Sequence, residues 1–293
     1  MSETNTTLDS GTLWAKVKQQ THYALEGGAL HSLPTEYELI EQDGIPFLVR
    51  ILANIAHKER AKQQQEEKSP SGQDYNPFLP YEEGLFVADI SDTHLCLLNK
   101  FNVVDDHILI VTREFEAQEN LLSWEDFEAM ETCLREIEGL AFYNSGKKAG
   151  ASQRHKHLQL VPFPLVAEIE AMNFPLEVTI ASTQWQGSVG KIPSLNFPHA
   201  IAKLDFPTSG EVIWQQYHQL LQTLGLNNHQ QPHAYNLLAT RKWLLIVPRS
   251  QESFQSISIN SLGFVGSFFV RNHQQKQFLE EYGFLNVLGK VAT

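Results

Sequence analysis

His155, His157 and Gln159 stand two residues apart in the stretch Gly150-Ala-Ser-Gln-Arg-His-Lys-His-Leu-Gln-Leu-Val-Pro162. The stretch reads as a β-strand entered from a Gly/Ser turn. Side chains alternate faces along a strand, so these three share one face, and Lys156, Leu158 and Leu160 share the other. Neutral imidazole attacks phosphorus at neutral pH and is a good leaving group from a phosphoramidate. That suits a double displacement in which a nucleotidyl group rests on the protein between two acceptors. Such a nucleophile needs its second ring nitrogen tied to an acceptor, and a backbone carbonyl two residues upstream can supply one. Gln159, projecting beside His157, can donate its amide hydrogens to a phosphate oxygen as charge builds. The turn Gly150, Ala151, Ser152, Gln153 offers backbone N–H groups and a hydroxyl as a phosphate cradle.

Taken alone, the motif leaves three readings open: nucleotidyl transfer, metal-assisted hydrolysis and a structural role. A His-x-His pair binds zinc only with a further protein ligand. His107, His199, His233 and Asp105 or Asp106 are candidates, and no spacing selects one of them.

The elements that must position this strand follow from periodicity. A helix over 10–26, with Ser10 as its cap and Leu13, Val17 and Ala24 inward, ends at Gly27-Gly28. Residues 36–40 and 45–52 form a hairpin around Gln42-Asp43-Gly44. Residues 57–76 hold almost nothing apolar and read as a solvated loop with Lys58 at its root, on composition a plain surface lysine. Strands are expected at 84–89, 94–99 and 107–112. Ser123-Trp-Glu-Asp126 opens a helix to about Ala141, with Phe127, Met130, Leu134, Ile137 and Leu140 buried. After the histidine strand the pattern predicts strands at 176–181 and 197–205 and an irregular stretch over 182–196. It then predicts a helix over 210–224, a hairpin of 234–239 with 243–248, and helices over 274–282 and 285–290. With no βαβ repetition, the fold class is α+β with a central, mainly antiparallel sheet flanked by helices.

Composition bounds the function. The 293 residues carry a net charge of −12, which argues against non-specific binding to nucleic acid or to an anionic membrane. A nucleotide substrate would need a local basic pocket within that repulsive field. Two cysteines, Cys96 and Cys133, fit a reduced compartment and exclude a Cys-rich zinc site. The N-terminal residues lack the basic start and apolar core of a signal peptide. No run of about 18 apolar residues occurs. A cytoplasmic setting is expected.

His155-Lys-His157-Leu-Gln159 resembles the transferase branch of the histidine-triad superfamily, whose hydrolase branch carries a third histidine at the glutamine position. Within that branch the chain is similar to the diadenosine tetraphosphate phosphorylases, or ATP adenylyltransferases. The likeness extends to Asn76-Pro-Phe-Leu-Pro-Tyr81, Leu97-Leu-Asn-Lys-Phe101, His107-Ile-Leu-Ile-Val-Thr112 and Phe142-Tyr-Asn-Ser-Gly146. It continues in Tyr235-Asn-Leu-Leu238, Trp243 through Pro248-Arg-Ser250, and Ile259-Asn-Ser-Leu-Gly-Phe264, and spans about residues 45–290.

The resemblance implies a histidine-triad-like fold and reversible phosphorolysis of diadenosine tetraphosphate to ATP and ADP. Adenylyl sulfate plus phosphate is a second implied reaction. It implies His157 as the nucleophile that holds AMP, the His155 carbonyl as its orienting group and Gln159 on the α-phosphate. Asn99 and Lys100 would line the nucleotide pocket, and Asn144 with Gly150–Gln153 would contact ribose and phosphates. Lys58 would reach the distal phosphates, and Asn260, Ser261, Leu262, Ser267 and Arg271 would close the pocket. A divalent cation, magnesium, would travel with the substrate phosphates, with no tightly bound cofactor and no protein metal site. An N-terminal part, 1–181, and a C-terminal part, 182–293, packed as one monomeric unit, are expected. Two departures stand out: Arg154 where the family often has a small or acidic residue, and Asp105-Asp106 where a Pro-Gly turn is usual. His107 is read as structural. The remaining alternatives are a hexose-1-phosphate uridylyltransferase, a zinc-dependent nucleotide hydrolase and a nucleotide-binding regulator without catalysis.

Overall fold

The computed structural model describes residues 8–52, 76–166, 172–227 and 233–292. Helix α1 (Leu13–Glu26) buries Leu13, Val17 and Ala24, as its spacing predicts. Its cap differs from the expectation. Thr12 occupies the N-cap without a side-chain bond, and the Glu136 carboxylate accepts the N–H groups of Gly11 and Leu13 instead (2.5 and 2.7 Å). A carboxylate from another helix satisfies the orphan donors that Ser10 was expected to serve.

Strands β1 (Thr35–Gln42) and β2 (Ile45–Leu52) form the predicted hairpin. Asp43 and Gly44 both take positive φ, as a two-residue hairpin turn requires. Then follow β3 (Phe86–Asp89), β4 (His94–Leu98) and β5 (Ile108–Thr112). Asp106, in the turn that departs from Pro-Gly, adopts φ +54°, a conformation Asp tolerates better than most residues. Its carboxylate also takes Lys18 at 2.5 Å.

Helix α2 (Trp124–Glu136) opens on the predicted capping box: Ser123 N–H donates to Asp126 (2.7 Å) and Asp126 N–H to the Ser123 hydroxyl (3.4 Å). It stops five residues before Ala141. Residues Gly139–Asn144 are β6 instead, paired with a strand on each side. A Cβ at Gly139 would lie 2.3 Å from the Val161 carbonyl, so the chain there is committed to strand contact. Tertiary pairing overrides the helical period carried by Leu140. Strand β7 (His157–Pro162) carries His157 and Gln159, and His155 lies just before it in an isolated bridge with Ala117.

Residues Glu177–Ala181 form a short helix, α3, and not the expected strand. The Glu177 carboxylate accepts both the backbone and side-chain N–H of Asn173 (2.9 Å each), which closes the helical turn over a β-branched sequence. The stretch read as irregular holds a small hairpin, β8 (Gln184–Gln186) and β9 (Val189–Lys191). Beyond it come β10 (Ala200–Lys203), α4 (Gly210–Thr223) capped by Ser209, and the hairpin β11 (Tyr235–Ala239) and β12 (Trp243–Pro248). The chain ends through β13 (Ser253–Phe254), β14 (Ile257–Ser258), β15 (Ser267–Val270), α5 (His273–Tyr282) and α6 (Phe284–Val291).

Ten strands make one sheet in the order β3-β4-β5-β7-β6-β11-β12-β10-β9-β8, every neighbour antiparallel. It runs unbroken from strands before residue 182 to strands after it, joined where β6 meets β11. A separate sheet, β1-β2-β15, packs above it. One face, with Ile110, Leu158, Leu160 and Tyr143, is covered by α1, α2 and α4. The other face carries two apolar clusters. Phe78, Leu95, Leu97, Leu109 and Val111 sit over β4–β5. Leu140, Phe142, Val161 and Leu238 pack against Phe47, Phe264 and Phe284. Strand β7 lies in the seam between them: Gln159 pairs with Leu109 on one side and Phe142 on the other.

Lys156 points to the helix-covered face and is almost wholly buried. Its ammonium bonds Asp126 and Glu116, both at 2.7 Å, and Asp126 also bonds His94 Nε2 at 3.0 Å. Burial alone would lower the Lys156 pKa and raise that of Asp126. The His94 hydrogen bond and the Lys156 charge outweigh it at Asp126, and the Asp126 charge outweighs it at Lys156, so both are held ionised, Lys156 raised and Asp126 lowered. Removing one member of a buried pair strands the other. Lys156→Met is therefore expected to cost about 3–5 kcal/mol in a urea unfolding titration, and a loss below about 1 kcal/mol would contradict this pairing.

Candidate active site

The His157 ring is buried at the seam, and its Nδ1 lies 2.8 Å from the His155 carbonyl. A carbonyl oxygen only accepts, so Nδ1 carries the proton and Nε2 keeps the lone pair. Burial lowers the His157 pKa from 6.5 to about 4, with the His155 carbonyl opposing and the His155 ring adding slightly. The imidazole is therefore neutral at physiological pH.

The backbone at His157 is held by a residue that sequence reasoning missed. Gln118 is fully buried. Its Oε1 accepts His157 N–H at 2.9 Å, and its Nε2 donates to the carbonyls of His157 (3.1 Å) and Asn144 (2.9 Å). The β6–β7 ladder ends at Phe142 with Gln159, and the Gln118 amide supplies the pairing beyond that point. Gln118 lies in a polar stretch without periodicity, and nothing local marks it.

His155 contributes its carbonyl. Its Nε2 bonds the Thr112 carbonyl at 2.8 Å, and its Nδ1 accepts from Asn76 at 3.0 Å, so both ring nitrogens are occupied. Phe78, from the Asn76–Tyr81 motif, packs against both imidazoles at 5.6 and 5.2 Å between ring centroids. Gln159, half-buried, is the next side chain on the same face.

The other predicted residues fall into groups. Asn144 is on the site face, and its Oδ1 accepts from Ser261 N–H (3.0 Å) and the Ser261 hydroxyl (2.8 Å). Gly150 has φ +91°, and a Cβ there would meet the Ile259 carbonyl at 2.7 Å and Asn260 at 3.0 Å. Only glycine lets this turn approach so closely, and Asn144, Gly150, Asn260 and Ser261 converge as a result. Ser152 is exposed, Ala151 and Gln153 are half-buried, and Arg154 faces solvent. Leu262 is in the apolar cluster, its N–H bonded to Asn260 Oδ1 at 3.0 Å.

Asn99 Nδ2 donates to His107 Nδ1 at 3.0 Å, and the His107 ring rests on Phe142 at 5.8 Å. These two line the Gln159 side of the seam. Lys100 instead pairs with Glu82 at 2.6 Å. Ser267 is buried in β15, and Arg271 follows that strand, so a different sheet places them. Lys58 and residues 57–75 of its loop lie outside the described residues.

Two of the residues considered as extra metal ligands, His199 and Asp106, are engaged elsewhere. His199 Nε2 accepts Ile192 N–H and its Nδ1 bonds the Phe197 carbonyl, both at 2.8 Å. Asp106 is paired with Lys18. Among the described residues, no group of three or more His, Cys, Asp or Glu is arranged to hold a metal ion. Cys96 and Cys133 are buried and unbridged. Among the described residues, no helix is long and apolar enough to cross a membrane.

Known proteins match along most of the chain. A family model for the Ap4A phosphorylase N-terminal domain matches residues 3–182, and one for the ATP adenylyltransferase C-terminal domain matches residues 193–293. Protein APA1 of Saccharomyces cerevisiae is 27% identical over 286 residues, covering 86% of this chain and 84% of the relative. Diadenosine 5',5'''-P1,P4-tetraphosphate phosphorylase 2 of the same yeast is 27% identical over 268 residues, 74% of this chain and 79% of its own. The crystal structure of yeast Ap4A phosphorylase Apa2 in complex with Ap4A shares the fold, with a TM-score of 0.81 at 24% identity over 97% of this chain and 98% of that one. With well over half of its residues inside the N-terminal family model and the rest of the motif pattern continuing into the C-terminal one, the chain belongs to the Ap4A phosphorylase family.

Proposed function

We propose that this chain is a nucleotidyltransferase that converts diadenosine tetraphosphate and phosphate to ATP and ADP, reversibly, with AMP carried on Nε2 of His157. The observation that carries this reading is the neutral imidazole whose Nδ1 proton is held by the His155 carbonyl at 2.8 Å. A proton on Nδ1 leaves the Nε2 lone pair to attack.

In the first step Nε2 attacks the α-phosphorus. An N–P bond forms, the bond from phosphorus to the bridging oxygen breaks, and ATP departs with that electron pair. In the second step an oxygen of inorganic phosphate attacks the same phosphorus from the side opposite the histidine. The N–P bond breaks, its electron pair returns to Nε2, and ADP forms. Gln159 donates to the α-phosphate, and the Gly150–Gln153 turn with the Ser152 hydroxyl holds phosphate oxygens. Asn99 lines the nucleotide pocket, Asn144 contacts ribose and phosphates, Lys58 reaches the distal phosphates, and Asn260 and Ser261 close the pocket. Adenylyl sulfate, with sulfate as leaving group, fits the same first step. A magnesium ion comes with the substrate phosphates in this reading, and no step is assigned to it. A cytoplasmic monomer, with 1–181 and 182–293 serving one site, completes the proposal.

The test is product analysis with diadenosine tetraphosphate, with and without phosphate. Phosphate-dependent formation of ATP plus ADP supports the reading. ATP plus AMP means hydrolysis, and binding without turnover means a regulator. His157→Ala is expected to lower turnover by about a thousandfold or more, with unchanged turnover contradicting the covalent route. The pH profile has a definite sign. Because burial lowers the His157 pKa to about 4, the nucleophile stays unprotonated as pH falls through 6.5. The acid limb of kcat/KM assigned to it belongs near pH 4, and a limb near 6.5 that His157 accounts for would contradict the assignment.

A further inference from the structure

The net charge of −12 repels polyphosphates, and much of the positive charge that should offset it is spent elsewhere. Lys100 is paired with Glu82, and Lys156 with Asp126 and Glu116 on the far face. One buried cation on the site face is different. Arg249 follows β12 and is 5% exposed. Its guanidinium bonds only neutral oxygens: Asn236 Oδ1 (2.5 Å) and the carbonyls of Ala149 (3.2 Å), Val291 (3.2 Å), Gln251 (2.8 Å) and Glu252 (3.1 Å). It forms no ion pair with a carboxylate among the described residues. The Glu252 carboxylate acts on it at longer range and is itself bonded by the Ser258 hydroxyl. Burial lowers the Arg249 pKa to about 10, so it is still charged at neutral pH.

Asn236 passes this contact on. Its Nδ2 donates to Asn144 Oδ1 at 2.8 Å and to the Ala149 carbonyl at 2.9 Å. Asn236 and Asn144 are direct cross-strand partners on β11 and β6. Asn144 Oδ1 thus receives three donors, two of them from Ser261. That fixes the orientation of its amide: Oδ1 faces the network, and Nδ2 bonds no other group among the described residues. Asn144 in turn shares the Gln118 amide with His157. A polar row therefore crosses the sheet from Arg249 through Asn236 and Asn144 to the nucleophile. Ala149, held by both Arg249 and Asn236, directly precedes Gly150 and the turn assigned to phosphates.

We propose that Arg249 and Asn236 are positioning residues for the nucleotide phosphates: they turn Asn144 Nδ2 toward the ligand, anchor the Gly150–Gln153 turn through Ala149, and place behind it a buried cation that pairs with no carboxylate among the described residues. This rests on the reading of the site as a nucleotide site. A charge desolvated among carbonyl dipoles and not cancelled by a carboxylate keeps its field at short range. It supplies the local positive potential that the chain's overall charge denies.

Calorimetric titration of the full chain with AMP and with adenosine separates this from a merely structural role. Arg249→Met removes the charge. Asn236→Asp keeps the side-chain volume, gives Arg249 a carboxylate and deletes the two donated hydrogen bonds, so it decides the matter if Arg249→Met does not fold. Both variants are expected to lower the ratio of AMP affinity to adenosine affinity by about tenfold or more, the loss typical of charge-assisted hydrogen bonds. Equal losses for the two ligands, or none, in folded Asn236→Asp would overturn the proposal. Wild-type protein that binds no AMP would overturn the nucleotide reading and this proposal with it.

Discussion

The hydrogen bond from Nδ1 of His157 to the carbonyl of His155 decides which nitrogen can react, and most of the surrounding structure maintains it. A donor and acceptor only two residues apart on an extended chain meet only if the backbone between them is held. That backbone is clamped in the plane of the sheet and from its helix-covered face. In the plane of the sheet, Gln118 bonds both the N–H and the carbonyl of His157. On the helix-covered face, Lys156, between the two histidines, is anchored to Asp126 in the capping box of α2. A helix start and the histidine strand thus share one carboxylate. Stability and chemistry are coupled there, since the group that caps the helix also immobilises the strand.

The sheet explains why a polar site can exist within so much apolar packing. Along β7 the helix-covered face is filled by Leu158 and Leu160. On the other face the two apolar clusters stop short of each other, and the seam is where His157 and Gln159 lie. Burial there keeps the imidazole neutral, which a nucleophile needs. The same burial would penalise an anionic substrate, and in the proposed account the compensation comes from oriented dipoles and from Arg249, which pairs with no carboxylate among the described residues. The joint between β6 and β11 carries this compensation across, because Asn144 and Asn236 meet in register.

The architecture was legible from period-two alternation and turn chemistry, and the motif strand from three residues at even spacing. The hairpin at Asp43-Gly44, the capping box at Ser123 and the glycine at 150 each announced themselves through local chemistry. What was not legible depended on long-range partners. The end of α2 at Glu136 is set by β7 and β11 pairing with 139–144, and α3 forms because Glu177 closes onto Asn173. Gln118 bonds a backbone 39 residues away, and no periodicity encodes that. Lys156 did leave a trace, since alternation put a lysine on the face of Leu158 and Leu160, where only a buried carboxylate could accommodate it. Arg249 and Asn236 lay inside motifs noted for their resemblance, and their contacts needed the fold before they meant anything.

The central claim is that one phosphorus is attacked twice, first by His157 and then by phosphate. Each in-line attack inverts configuration, so two attacks restore it. The most direct measurement is the stereochemical course at the α-phosphorus, followed with a substrate made chiral there by sulfur and oxygen-isotope substitution. Retention of configuration in the ADP product is the expected result. Inversion would mean a single direct displacement by phosphate and would contradict an AMP–His157 intermediate.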